Sequence, residues 1–161
     1  MSGTQALSQL IYPGAAILLF AGVLKLSGLL RESHSTSSSE GTGLVRIFTN
    51  NYFVFFLSII EIVIGAFVFA GIFVKFFAFA QMYLYLAFTL WLFYGLKKNL
   101  ASCKCFGVAK PQKPSTFGIK RNLVMALLTL LGIFGGAESI TFVGFILSLA
   151  AIILIYRVEL K

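Results

Sequence analysis

Cys103 and Cys105 stand in the stretch Ser-Cys-Lys-Cys-Phe-Gly and are the only two cysteines of the chain. One residue between two cysteines allows a small, strained disulfide ring, and strained bridges are the oxidising, readily exchanged ones. Lys97, Lys98 and Lys104 lie close by in sequence, and such cations stabilise thiolates, the form that attacks another disulfide. Three readings stand at this level: a redox-active pair, two inert loop thiols, or half of a metal site. The last would need a second chain, because two sulfurs do not complete a zinc shell. Both cysteines falling within three positions favours the redox pair.

Two further residues carry charge where charge is costly. Lys25 and Glu61 each interrupt a long apolar run. Charges inside a bilayer are expensive, and when present they usually serve a function. Counted from the face that carries the cysteine loop, Lys25 lies roughly 7 Å deep and Glu61 roughly 14 Å deep. A lysine stem covers much of that difference, so an ion pair is expected. The pair could handle protons or shape a site, it could lock two helices together without chemistry, or it could belong to a small transporter or channel.

The elements that position these residues follow from composition. The 161 residues are 59% hydrophobic and 11% charged. Soluble domains have about 45–50% apolar residues even with glycine included, and about 25% charged. The chain is therefore expected to be an all-α membrane protein, one bundle of four to five transmembrane helices over 1–161. A span needs about 20 apolar residues. Spans are placed near 11–30, 52–74, 76–94, 122–136 and 141–156, and a polar loop at 97–121 holds the cysteines. The apolar stretch 52–96 would run roughly 68 Å as one helix, so it must fold back, near 71–75. The last two spans are short, and a re-entrant hairpin is the alternative. The first ten residues lack a basic n-region, so the first helix is expected to remain in the mature protein.

Charge orients the bundle. Arg31, Arg46, Lys97, Lys98, Lys104, Lys110, Lys113, Lys120, Arg121, Arg157 and Lys161 fall on the cysteine-loop side, eleven of the thirteen Lys and Arg residues. The other side has Lys75, and Lys25 lies inside a span. The positive-inside rule then puts the cysteine loop in the cytoplasm of a multi-pass cell-membrane protein. The net charge of +8 is explained by orientation, without nucleic acid as a partner.

Other chemistries find little support. The sequence has no aspartate and no GxxxxGK[ST] loop, which disfavours two-metal phosphoryl transfer and P-loop nucleotide binding. A single histidine, His34, excludes a bis-histidine haem within the chain and reads as a solvated loop residue. No metal site is expected. Phe53, Phe55, Phe56, Phe67, Phe69, Phe73, Phe76, Phe77 and Phe79 read as lipid-facing or helix-packing surface. Tyr83, Tyr85, Trp91 and Tyr94 could line a quinone pocket, although Trp91 and Tyr94 also suit an interfacial aromatic belt.

Lys25 in AGVLKLSG, Glu61 in SIIEIVIGAFVFAG, CKCFG at Cys103–Gly107, and Arg121–Asn122 at a helix start occur in that order. The chain thereby resembles the MauE-like branch of the DoxX-related membrane proteins, from about Ile11 to Leu131. Cys-x-Cys-Phe-Gly followed by Arg-Asn is the most specific part, and it brings Phe106, Gly107 and Asn122 into the site. Lys104 stands where the family commonly has glycine. The resemblance implies a helical bundle tied to thiol–disulfide chemistry. A named member supports maturation of the disulfide-rich methylamine dehydrogenase beside a thioredoxin-like partner.

The expected function is accordingly electron exchange between the Cys103–Cys105 pair and a thioredoxin-like protein during disulfide formation or protein maturation. Lys104 would favour the thiolate and Arg121 would assist it. Clients outside the cytoplasm and a loop inside it are reconciled by a relay, which would need a quinone, a moving loop or a partner. The alternative is a non-catalytic subunit or assembly factor of a larger membrane complex, suggested by the short chain and its aromatic surface.

Overall fold

The computed structural model describes residues 3–32, 51–98, 115–135 and 142–159, and every regular element among them is α-helical. In chain order these are α1 (Gly3–Ser8), α2 (Ile11–Glu32), α3 (Asn51–Phe69), α4 (Val74–Lys97), α5 (Thr116–Phe134) and α6 (Phe142–Glu159). Four stretches are long and apolar enough to cross a bilayer: Ala6–Leu30, Asn51–Phe69, Val74–Lys97 and Thr116–Phe134. Gly144–Leu154 is a shorter apolar segment within α6.

The local sequence explains the breaks. α3 ends in a glycine cap: Gly71 has a φ of 72°, its N–H donates to Val68 O, and the N–H of Ile72 donates to Phe67 O. That pattern satisfies carbonyls left open at the helix end, and glycine adopts the left-handed conformation without a Cβ penalty. Phe73 follows at φ 46°, a left-handed value rare for an aromatic residue, and caps the start of α4. α5 begins at Thr116, six residues ahead of Asn122, because Ser115 is extended and its Oγ accepts the N–H of Gly118. Pro13 sits in the first turn of α2, where its missing N–H does little harm.

α2 occupies the middle of the bundle and packs against α3, α4, α5 and α6, while α1 packs on α5. The close packing of α2 on α3 depends on glycine. A Cβ at Gly22 would lie 2.9 Å from the carbonyl oxygen of Ser58, and one at Gly65 would lie 2.9 Å from that of Ala15. Small residues at such contacts let helices approach in lipid, where no hydrophobic force drives them together.

The buried face of each span carries the polar residues. Ser58 and Glu61 face inward from α3, Gln81 from α4, and Arg121, Asn122 and Thr129 from α5. Phe55, Phe56, Phe76, Phe79, Leu90, Phe93, Leu123 and Leu127 are exposed. This distribution is the inverse of a soluble helix and places the large apolar side chains against lipid.

Candidate functional site

Alternation along the chain puts the C-terminal end of α2, the start of α3, the end of α4 and the start of α5 at one end of the bundle. Cys103, Lys104, Cys105, Phe106 and Gly107, in the segment joining α4 to α5, lie outside the described residues, as does His34.

Lys25 sits seven residues before the end of α2, and Glu61 ten residues after the start of α3. In helical rise these are depths of roughly 10 Å and 15 Å from the shared end. The lysine stem spans the difference: Lys25 Nζ donates to Glu61 Oε1 at 2.5 Å, with both side chains buried. The ammonium also lies 4.9 Å from the centroid of the Phe88 ring on α4. That cation–π contact adds a second favourable surface for a desolvated charge. Glu61 Oε2 is buried and has no hydrogen-bond partner among the described residues.

Arg121 and Asn122, in the second turn of α5, are buried next to this pair. The Arg121 guanidinium donates to Asn122 Oδ1 from Nε at 3.4 Å and from a terminal nitrogen at 3.2 Å. Those bonds fix the amide orientation, leaving Asn122 Nδ2 as a buried donor without a partner among the described residues. Arg121 is near enough to Lys25 to act on it electrostatically. Lys25, Glu61 and Arg121 therefore form one charged layer drawn from three helices. Arg121 belongs to the protein interior, so ten of the eleven basic residues assigned to this side remain to set orientation.

A second polar layer lies toward the opposite end. Gln81 Nε2 donates to Thr129 Oγ1 at 2.8 Å and to the carbonyl oxygen of Ile11 at 3.2 Å. Thr129 in turn donates to Met125 O, and the Gln81 oxygen is buried with no partner among the described residues. Tyr85, one turn along α4, donates from its phenol to Gly14 O at 2.7 Å. A Cβ at Gly14 would stand 2.2 Å from Gln81 Nε2, so only glycine leaves room for this amide. Ser8 and Gln9, both buried, extend the layer toward the N-terminal end.

Sequence reasoning gave no role to Gln81, Thr129 or Gly14. The available signal was Gln81 and Tyr85 at i and i+4 within an otherwise apolar helix, which puts two polar groups on one face.

The four aromatic residues considered for a quinone do not converge. Tyr85 is 1% exposed and Tyr83, two positions away on the helix, is 66% exposed. Trp91 and Tyr94 stack on each other with centroids 5.8 Å apart. An apolar groove of about 310 Å³ is lined by Ala16, Leu19, Phe20, Val23, Phe69 and Ile152. Val23 and Lys25 are two positions apart, so the groove opens on the far side of α2 from the charged layer.

Apolar flanks, small-residue helix contacts and a charged layer enclosed by three spans define a multi-pass helical membrane protein with a polar interior. The chain belongs to the MauE family: the family model described as methylamine utilisation protein MauE matches residues 6–135. No curated protein and no solved structure gives a match.

Proposed function

We propose that this MauE-family protein is a cell-membrane thiol–disulfide redox protein. Its Cys103–Cys105 pair exchanges electrons with a thioredoxin-like partner during disulfide formation or protein maturation, as part of methylamine utilisation. In the exchange a thiolate of one dithiol attacks the disulfide of the other protein and forms a mixed disulfide. The second cysteine of that dithiol then displaces the bond, so two electrons and two protons change carrier. Lys104 and its neighbours favour the thiolate, and Phe106 and Gly107 complete the motif.

The supporting observation is the layer of Lys25, Glu61, Arg121 and Asn122, buried at the bundle end from which the cysteine-bearing segment leaves α4 and re-enters α5. Its cations provide positive potential on that side, which favours thiolates. The excess of lysine and arginine there supports a cytoplasmic position for the segment.

The test is a thiol–disulfide titration of the purified protein, read by the mass of alkylated forms, alongside complementation by a Cys103→Ser, Cys105→Ser variant. A reversible intramolecular disulfide and loss of client maturation are expected. Full function of the double serine variant in its host would sink the proposal and leave the assembly-factor reading. Membrane-impermeant maleimide applied to intact cells, with and without permeabilisation, checks the orientation.

A further inference from the structure

The apolar groove on α2 belongs to neither polar layer, and three helices line it. Ala16, Leu19, Phe20 and Val23 follow at i, i+3, i+4 and i+7, so they form one stripe of α2. Phe69 of α3 and Ile152 of α6 flank the stripe and leave a volume of about 310 Å³, within the range of ligand clefts. Ala16 is 4% exposed at the closed end, and Val23 is 53% exposed at the open end. α6 packs on α2, with Gly144 and Ser148 as buried positions, and Ser148 Oγ donates to Gly144 O within its own helix. Ile152, one turn further on the same face, stands where that contact gives way to the groove. It lies beyond residues 6–135, so the groove is completed by a segment outside the family match.

We infer that this groove holds one acyl chain of an anionic phospholipid whose phosphate is bound by Arg157. The groove lies near the middle of the span Ala6–Leu30, so what fills it comes from the bilayer. Its lining carries no polar side chain, which suits hydrocarbon and no hydrophilic ligand. The volume is less than one turn of a helix about 10 Å wide, so a partner helix does not fit. Arg157 is exposed in the last turn of α6, five residues beyond Ile152 and roughly 7.5 Å along the axis. Alternation along the chain runs α6 in the same direction as α2, which puts Arg157 toward the open, Val23 end. With the groove itself, roughly 10 Å from Val23 to Ala16, the reach approaches the depth of one leaflet, about 20 Å with its headgroups. Basic residues between transmembrane helices at a membrane face bind phosphate headgroups.

The inference goes beyond the redox proposal and does not depend on the cysteines. The full-length protein in detergent is given equal amounts of phosphatidylglycerol and phosphatidylcholine with the same acyl chains, and bound lipid is read by native mass spectrometry. One phosphatidylglycerol per protein is expected to be retained in preference to phosphatidylcholine. Arg157→Gln should weaken its binding about fivefold, which is about 1 kcal/mol, and leave phosphatidylcholine unchanged. Val23→Trp closes the open end and should weaken both lipids about tenfold, as when nearly two methylenes are no longer buried. An unchanged melting temperature shows that this variant folds. Ile152→Trp obstructs the same groove from α6 and replaces Val23→Trp if that protein does not fold.

Equal retention of the two lipids, or a preference that survives Arg157→Gln, would overturn the inference. So would lipid binding indifferent to the tryptophan variants, which would put the acyl chain elsewhere on the bundle. Displacement of the lipid by an equal concentration of inorganic phosphate would show a free-anion site with no need of the groove. A dimer that carries no lipid and dissociates in Val23→Trp would put a second copy of the chain there instead. The same lipid preference is expected in Cys103→Ser, Cys105→Ser protein, which separates this outcome from that of the redox proposal.

Discussion

Toward the cysteine-bearing segment the bundle buries a lysine, a glutamate and an arginine; toward the opposite face it buries an amide, a phenol and hydroxyls. The two layers are joined differently. The charged layer is held by side chain to side chain bonds, Lys25 to Glu61 and Arg121 to Asn122. The neutral layer donates largely to backbone, Tyr85 to Gly14 O and Gln81 to Ile11 O. A backbone acceptor is available whatever residue supplies it, so the neutral layer fixes how α2 seats against α4 and α5. A charge partner is specific, and removing one leaves its mate stranded. The charged layer is therefore the costlier of the two to break and the better suited to chemistry.

The sharpest way to break this comparison is to strand a charge. Glu61→Leu should destabilise the protein by about 3–5 kcal/mol, the usual cost of leaving one member of a buried ion pair alone. The Lys25→Met, Glu61→Leu double variant should recover most of that loss. Thermal unfolding in detergent checks both, and a double variant as unstable as the sum of its parts would show that the two residues do not act as a pair.

Next in size, Gly22→Ala brings a methyl within 2.9 Å of the Ser58 carbonyl and 2.8 Å of an Ile62 side-chain carbon. Backbone cannot move aside as a side chain can, so about 1–3 kcal/mol is expected, the range for overpacking. Gly14→Ala meets the end of the Gln81 side chain instead and displaces the amide from Thr129. Its cost should fall at the lower end of the same range. The same melts rank the two variants, and Gly14→Ala proving the worse would place the tighter constraint in the neutral layer.

The smallest effect belongs to Tyr85→Phe, which removes one hydrogen bond to a carbonyl already engaged in its helix. About 0.6 kcal/mol is expected, the mean for interhelical hydrogen bonds in membranes. A loss above about 2 kcal/mol would exceed the measured range for such bonds and tie Tyr85 to Glu61 more closely than geometry indicates.

The charged layer was far more legible in sequence than the neutral one. Lys25 and Glu61 stand out because each is an isolated charge in an apolar run, and helical rise alone puts them within reach of each other. Arg121 and Asn122 were visible only as the opening of a helix. Their burial depends on Ser115 starting α5 earlier, which sinks both into its second turn. Gln81, Thr129 and Gly14 were illegible for a different reason. Neutral polar residues cost little in a transmembrane helix, and their partners here include backbone carbonyls, which leave no mark in a sequence. Tyr83 and Tyr85 looked alike as aromatic residues, and only the helix surface on which each falls separates lipid contact from a core hydrogen bond. The all-helical bundle followed from composition, since so apolar a chain in a bilayer must satisfy its backbone within each segment.

The glycine-capped turn at residues 70–73 bears on how the protein is made. It joins α3 to α4 with no polar side chain before Lys75, and the Gly71 and Ile72 N–H groups are already bonded within it. If the cysteine-bearing face is cytoplasmic, as proposed, the two helices can enter lipid together as a hairpin. The leading edge of that pair carries a single ammonium into the bilayer ahead of an aromatic wedge.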